Sequence, residues 1–146
     1  MKILSKSCVY GIRAVLYVAS SKQQQKYVPI SQISKNLKIS FHFLTKILQI
    51  LTRNDIITSY RGPKGGVALA KPATEITLLE MIEAIDGAQF FQGCILELPG
   101  CGDENPCPLH AYWGESRDRI KSIFENTSLA ELGERIKKDG LRLVAG

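Results

Sequence analysis

Hydrophobic residues recur at helical spacing in two short segments of the first half of the chain. One segment begins near Pro29, and the next begins after Ser40, a favourable N-cap residue. The apolar positions are Ile30, Ile33 and Leu37 in the first segment and Leu44, Ile47, Leu48 and Leu51 in the second. Two amphipathic helices joined by a turn at Lys38 and Ile39 predict a helix-turn-helix.

A different pattern follows directly. Two short β-prone runs, 56–61 and 67–71, flank the sequence GPKGG at 62–66. Strand-forming residues on both sides of a glycine-rich turn predict a β-hairpin. A hairpin placed after a helix-turn-helix is typical of a wing.

Further helices are predicted on both sides of this unit. The first carries an apolar stripe of Val9, Ile12, Leu16 and Ala19. Capping boxes of Thr77 with Glu80 and of Ser128 with Glu131 start two others, and a long helix starts near His110. The predicted fold class is mainly α, a winged helix-turn-helix with a small β-hairpin wing and a long C-terminal dimerisation helix.

The distribution of charge separates the chain into two parts. Residues 1–75 hold twelve Lys and Arg against two acids, a formal charge of +10, and residues 76–146 hold seven against twelve, a charge of −5. We therefore predict a DNA-binding domain over 1–75, attracted to double-stranded DNA, and a helical dimerisation region over 76–146. A solvated basic face is the alternative reading of the charge alone.

The predicted second helix of the helix-turn-helix would read bases from its N-terminal end and outward face. The wing would reach the minor groove and the phosphates through its cations and glycines. The residues assigned to DNA are Ser40, His42, Phe43, Thr45 and Lys46 on the helix and Arg61, Lys64, Gly65 and Gly66 on the wing. Phe43 either meets a thymine methyl or packs inward. Because one such module makes few contacts, we expect a homodimer on a pseudo-palindromic operator, joined through the long helix.

No segment predicts a membrane span, because Arg13 interrupts the one long apolar run near the N-terminus. We expect a cytoplasmic protein with reduced thiols. Three cysteines lie together between 94 and 107, within a segment at 88–110 that is rich in Gly and Pro and lacks periodicity. Metal binding explains such a cluster better than a disulfide framework.

Cys94, Cys101, Cys107 and His110 have the spacing C-x6-C-x5-C-x2-H, a complete ligand set for a metal centre. Zinc and an iron-sulfur cluster are both compatible with three thiolates and one imidazole, so the ligands alone leave the metal open. No phosphate-binding or dinucleotide-binding glycine loop is present. The sequence therefore favours a regulator over a redox enzyme or electron carrier.

The chain resembles the IscR-type members of the Rrf-two winged-helix regulators over nearly its whole length. The matching segments are SKSCVYGIRA (5–14), ISQISKNLKIS (30–40), RGPKGGVALAK (61–71), CGDENPCPLHAYW (101–113) and NTSLAEL (126–132). The resemblance implies that the three cysteines and His110 hold an iron-sulfur cluster, with 2Fe-2S favoured over 4Fe-4S or zinc. It also implies that the cluster modulates DNA binding in response to iron-sulfur status, redox state or nitric oxide.

Two departures from the family pattern concern the ligands. The first cysteine spacing is one residue longer than usual, which a glycine-rich loop can absorb. Related nitric-oxide-sensing members place a carboxylate where this chain has Val9, which cannot ligate iron. Cys8 stands next to Val9 and could supply a thiolate in place of that carboxylate. We expect it instead to be a small, buried residue of the helix.

Overall fold

The computed structural model describes residues 3–21, 26–89 and 91–143. Within these ranges the order of elements is helix, two-helix unit, hairpin and three further helices. The helices are α1 (Lys6–Ser20), α2 (Ile30–Leu37), α3 (Phe41–Arg53), α4 (Leu78–Asp86), α5 (His110–Glu125) and α6 (Leu129–Asp139), and the strands are β1 (Ile57–Tyr60) and β2 (Gly66–Leu69). This is the predicted mainly α, winged helix-turn-helix fold.

The helix-turn-helix forms as its sequence pattern predicts. Lys38 ends α2 in the left-handed conformation, with φ of 56°, and Ser40 caps α3 by accepting a hydrogen bond from the Phe43 amide at 3.5 Å. The buried positions of the two helices are Ile33, Leu37, Leu44, Ile47, Leu48 and Leu51. The apolar spacing therefore sets which faces of α2 and α3 point into the core.

The wing is an antiparallel pair in which Ile57 lies opposite Leu69 and Tyr60 opposite Gly66. Val67 exchanges two backbone hydrogen bonds with Val28, at 2.8 and 2.9 Å, so the chain before α2 extends the sheet. Gly66 has φ of 154°, and a Cβ on it would lie 2.1 Å from the Val28 carbonyl oxygen. Only glycine allows the sheet to close against the segment before α2.

The apolar stripe predicted for α1 is only partly correct. Val9 is 39% exposed, whereas the neighbouring Cys8 is fully buried beside Leu79, Ile82 and Phe91. The buried face of α1 starts one residue earlier than the stripe because α4 packs on that side. Cys8 thus has the role of a small buried residue that the sequence suggested.

The last helix belongs to the same packed unit as the helix-turn-helix. Leu129 of α6 is fully buried in the core cluster that holds Ile33 and Leu44. The start of α6 is fixed by Ser128, whose hydroxyl accepts from the Glu131 amide at 3.1 Å, and by the Leu129 amide, which donates to the Ile76 carbonyl at 2.7 Å. The division of the chain at residue 75 stays a prediction.

The long helix α5 leaves much of its surface uncovered. None of its residues is buried, and Tyr112 and Ile123 are 75% and 57% exposed. Phe124 is half-buried and its ring lies 5.8 Å from that of Phe91, which attaches the helix to the smaller core cluster. Among the residues that the structure describes, no helix is long and apolar enough to span a membrane.

Candidate metal centre and nucleic-acid interface

Three of the four predicted ligands are brought together at the N-terminus of α5. The Sγ atoms of Cys94, Cys101 and Cys107 all lie within 4.8 Å of one another, and those of Cys94 and Cys107 are 3.4 Å apart. Within the described residues, no other group of His, Cys, Asp and Glu side chains has such a geometry. These three thiols can hold a metal.

His110, the fourth predicted ligand, is the first residue of α5 and lies beside this group. Its Nδ1 is 3.5 Å from the Cys101 Sγ, and its Nε2 is 3.0 Å from an Asp103 carboxylate oxygen. The backbone sets its place, since the His110 amide donates to the Cys107 carbonyl at 3.1 Å. Asp103 was not among the residues predicted from the sequence, although an acid between two ligand positions is the available signal.

The loop that carries the thiols folds through short turns. The Glu97 amide donates to the Cys94 carbonyl at 3.0 Å, and the Asn105 amide donates to the Gly102 carbonyl at 3.2 Å. Backbone amides also reach the sulfurs: the amide of Leu96 lies 3.4 Å from the Cys94 Sγ, and that of Cys107 lies 3.4 Å from the Cys101 Sγ. Such amide contacts favour thiolates and are common where sulfur binds a metal.

Two of the thiols have shifted pKa values. A hydrogen bond from the Leu98 backbone, aided by neighbouring thiol and amide contacts, lowers the pKa of Cys94 to about 7. At Cys101 the bond from the Cys107 backbone lowers the pKa, but desolvation and the thiols of Cys94 and Cys107 outweigh it, so the pKa is raised. Three adjacent thiols do not all ionise easily without a cation between them.

A cavity of about 60 Å³ opens between the thiols and α5. His110, Trp113 and Arg117 line it from one face of the helix, and Gly93 and Ile95 complete it from the loop. Arg117 donates a hydrogen bond from Nη1 to the Gly93 carbonyl oxygen at 3.3 Å. Arg117 was not among the site residues predicted from the sequence, and its spacing of seven from His110 on one helix is the signal that links the two.

The predicted DNA-reading side chains on α3 occupy two faces. His42 and Lys46 are exposed on one face, and Thr45 lies on the neighbouring face, its hydroxyl donating to the Phe41 carbonyl at 2.8 Å. Phe43 is half-buried, and its ring packs edge-to-face with that of Tyr10, with ring centroids 5.7 Å apart. The inward alternative for Phe43 is therefore the one that the packing favours.

A groove of about 610 Å³ separates α3 from the wing. Thr45 lines it on the helix side, and Arg61, Gly65 and Gly66 line it on the wing side. Several of its lining residues were not predicted from the sequence. They are Ser31, Phe41, Gln49 and Tyr60. The spacing of Phe41, Thr45 and Gln49, four residues apart, is the signal that was available.

The cations of this surface are free for a ligand. Lys46, Arg61 and Lys64 are exposed, and none forms a hydrogen bond or ion pair with a residue in the described ranges. Tyr60, at the end of β1, is 56% exposed and stacks on Tyr27 with ring centroids 5.4 Å apart. The surface thus combines unpaired positive charge with aromatic and polar side chains, as nucleic-acid-binding surfaces do.

Comparisons with known proteins agree with these features. A family model described as Rrf2, iron-dependent transcriptional regulator, matches residues 4–135. The chain is 36% identical over 132 residues to the HTH-type transcriptional regulator IscR of Photorhabdus laumondii, covering 90% of this chain and 79% of the relative. It is 35% identical to IscR of Yersinia pestis with the same coverage.

Solved structures share the fold. The structure of T. potens IscR matches with a TM-score of 0.76 at 18% identity, covering 97% of this chain and 93% of that one. Staphylococcus aureus CymR matches with a TM-score of 0.70 at 26% identity, covering 89% and 97%. With a matched family model over most of its length and relatives above 30% identity, this chain belongs to the Rrf2 family of DNA-binding transcriptional regulators, is IscR-like in sequence, and is not an enzyme.

Proposed function

We propose that this protein is a dimeric transcriptional regulator whose affinity for DNA is set by an iron-sulfur cluster, of the 2Fe-2S type, held by Cys94, Cys101, Cys107 and His110. One observation carries the proposal. The three thiols, which come from three turns of one loop, converge within 4.8 Å beside the imidazole that begins α5. The curated relatives named IscR support the same reading.

The residues present fit such a group. Thiolate sulfur is a soft ligand that suits iron-sulfur clusters, and three thiolates with one neutral imidazole match a centre in which His replaces one Cys. The cavity of about 60 Å³ is larger than the roughly 10–15 Å³ that one water-sized sphere needs, so it has room for several atoms. Arg117 also lines it. Its guanidinium, which pairs with Asp118 at 3.3 Å, adds a positive charge beside an anionic occupant.

A structural zinc ion is the second candidate, and the compactness of the thiols favours it. One tetrahedral ion with Zn–S bonds of about 2.3 Å can reach three sulfurs that lie within 4.8 Å of one another. Anaerobic purification separates the two. We expect brown protein with visible absorption and with iron and acid-labile sulfide in equal amounts, whereas colourless protein with one zinc per chain would refute the cluster.

The DNA would be held by the helix-turn-helix and the wing. Ser40, His42, Thr45 and Lys46 would face the major groove at the start of α3, and Arg61 with Lys64 would reach the minor groove from the wing. Gly65 and Gly66 would let the backbone approach phosphates. Two features support the assignment. Lys46, Arg61 and Lys64 are exposed and unpaired within the described ranges. A groove of about 610 Å³ lies between α3 and the wing.

The second half of the chain links the metal site to the DNA-binding unit. When bound, the cluster would supply a centre whose loss to oxidants, nitric oxide or iron shortage acts as the signal. The ligands would tie the loop at 88–110 to the first turn of α5, through His110. Because α5 is the proposed dimer helix, fixing its start would change how the two DNA-binding units of a dimer are spaced.

The coupling can be tested with a cluster-free variant. Operators are first selected from a random duplex library by the wild-type protein. Cys101→Ala should then change the affinity for at least one class of selected operator by ten-fold or more. Cys8→Ala is the matched control, because it also removes one thiol, and Cys8 is not among the three thiols that converge at the site. Equal affinities of wild-type and Cys101→Ala protein at every operator would refute the coupling.

We place this protein in the cytoplasm as part of the same proposal, since reduced thiols are required at the site and are maintained there.

A further inference from the structure

We infer that Asp103 is a positioning residue that fixes the ring of His110, so that Nδ1 binds the metal and Nε2 keeps its proton. Two contacts carry this inference. The His110 Nε2 lies 3.0 Å from an Asp103 carboxylate oxygen, and its Nδ1 lies 3.5 Å from the Cys101 Sγ. It rests on the proposed function only in taking Cys101 and His110 as ligands of one metal.

The assignment of the proton follows from the chemistry of the two partners. A carboxylate only accepts hydrogen bonds, so the ring nitrogen that faces Asp103 must donate. In a neutral imidazole the other nitrogen then holds a free lone pair. That nitrogen is Nδ1, which faces the sulfur of Cys101 at the cavity. The ligating atom is therefore chosen by the residue on the opposite side of the ring.

The local backbone brings the acid to this place. Asp103 lies in the turn closed by the hydrogen bond from the Asn105 amide to the Gly102 carbonyl, at 3.2 Å, between the ligands Cys101 and Cys107. His110 is held from the other side by the bond of its amide to the Cys107 carbonyl, at 3.1 Å. One short segment thus supplies two thiols, the imidazole and the group that orients it.

The effect of this contact on the stability of the fold is small. The Asp103 side chain is fully exposed and that of His110 is 27% exposed. An exposed pair of this kind contributes little to stability. The contact does, however, restrict the rotation of the ring and select one tautomer, and carboxylate partners of metal-bound histidines act in this way.

The tautomer can be read directly by NMR. The chain has two histidines, so His42→Gln leaves His110 as the only imidazole in the spectrum. In Zn(II)-loaded protein labelled with 15N-histidine, long-range 15N–1H correlations should show a metal-bound Nδ1 and a protonated Nε2. Metal bound through Nε2 would overturn the inference.

Metal affinity gives a second readout. Asp103→Ala should weaken Co(II) and Zn(II) binding by about 10-fold or more, the usual effect of losing such a partner. Glu104→Gln is the matched control, because it removes one exposed negative charge from the same turn and should leave affinity unchanged. An equal loss of metal affinity in both variants would show that only the negative charge of the turn matters, and it would overturn the inference.

The outcomes separate this inference from the proposed function. Wild-type protein that binds Zn(II) through Nδ1 but assembles no iron-sulfur cluster would refute the cluster and support the role of Asp103. Protein that assembles the cluster but binds metal equally well with Asp103→Ala would support the cluster and refute the role of Asp103. Failure of the wild-type chain to bind Co(II) or Zn(II) and to assemble an iron-sulfur cluster would refute both.

Discussion

The Arg117 guanidinium donates a hydrogen bond to the Gly93 carbonyl oxygen at 3.3 Å, across 24 residues of chain. Arg117 lies on α5, two turns after His110, and Gly93 directly precedes Cys94. The candidate metal site is therefore joined to α5 at two points, through His110 at the start of the helix and through Arg117 within it. We propose that this second connection transmits the state of the loop to the helix.

Replacement of Arg117 should weaken both the site and its coupling to DNA. Arg117→Ala removes the contact with Gly93 and a positive charge from the cavity lining, so we expect the cluster to be lost several-fold faster in air. The decay of the visible absorption measures this. Arg119→Ala is the control, because Arg119 is exposed and pairs with Glu115 at 3.3 Å on the same helix. Equal decay rates in the two variants would exclude a special role of Arg117.

Substitution of Gly66 should damage the wing. In Gly66→Ala the Cβ would lie 2.1 Å from the Val28 carbonyl oxygen, in a backbone conformation with φ of 154°. Backbone strain of this kind costs roughly 1–3 kcal/mol, and the clash adds to it. Thermal unfolding measures the loss. At Gly133, in α6, the nearest atom to an added Cβ is 3.9 Å away, so Gly133→Ala should not destabilise the protein. A stable Gly66→Ala variant with native DNA affinity would contradict this account.

The cations of the wing and of α3 should appear in the salt dependence of DNA binding. If Lys64 contacts a phosphate, Lys64→Ala weakens binding to all duplexes alike and lowers the magnitude of the slope of log affinity against log salt by about 1. Titrations at several salt concentrations measure the slope. Lys137→Ala, on the exposed surface of α6, is the control and should leave the slope unchanged. A loss confined to one operator sequence would instead indicate a base contact.

The exposed apolar face of α5 should form the dimer interface. Ile123 is 57% exposed on this helix, so Ile123→Asp would place a charge in the proposed interface and should give a monomer. Sedimentation velocity at micromolar concentration measures the mass. Lys137→Asp introduces the same residue at a polar, exposed position on α6, outside the proposed interface, and should remain dimeric. Wild-type protein that sediments as a monomer would refute the dimer itself.

Cys8 should make the fold sensitive to alkali. Burial, together with the charge of Asp86 and a hydrogen bond to it, raises the pKa of the Cys8 thiol from 9.0 to about 12. The unfolded chain thus loses this proton first, between pH 9.0 and about 12, and the free energy of unfolding falls there by about 1.4 kcal/mol per pH unit. Below pH 9.0 the stabilising contribution of the protonated Cys8 thiol is fully present.

Urea unfolding at a series of pH values isolates this effect. Cys8→Ala keeps a small apolar residue in the core. Its free energy of unfolding should therefore fall less steeply at alkaline pH than that of the wild-type protein. Tyrosine and lysine titrations are common to both proteins and cancel in the difference. Identical pH dependence of wild-type and Cys8→Ala protein would show that the thiol is accessible to solvent in the folded state.

Local patterns were enough to predict most of the elements. Helical spacing placed α2 and α3, the residues GPKGG placed the hairpin, and Ser40 and Ser128 marked helix starts that the structure confirms. These features are encoded within a few residues, because hydrogen bonds of caps and turns and the faces of helices depend on neighbours in sequence. The cysteine spacing likewise identified the thiols that meet.

The tertiary structure decided the relationships between distant segments. The sequence of α1 is compatible with two apolar faces, and packing against α4 chose the one with Cys8 and left Val9 exposed. The groove beside α3 depends on how the wing lies against that helix. The contacts of Arg117 with Gly93 and of His110 with Asp103 depend on how the cysteine loop lies against α5. Residue order alone predicts which groups are available, whereas the direction in which each side chain points follows from packing of the whole chain.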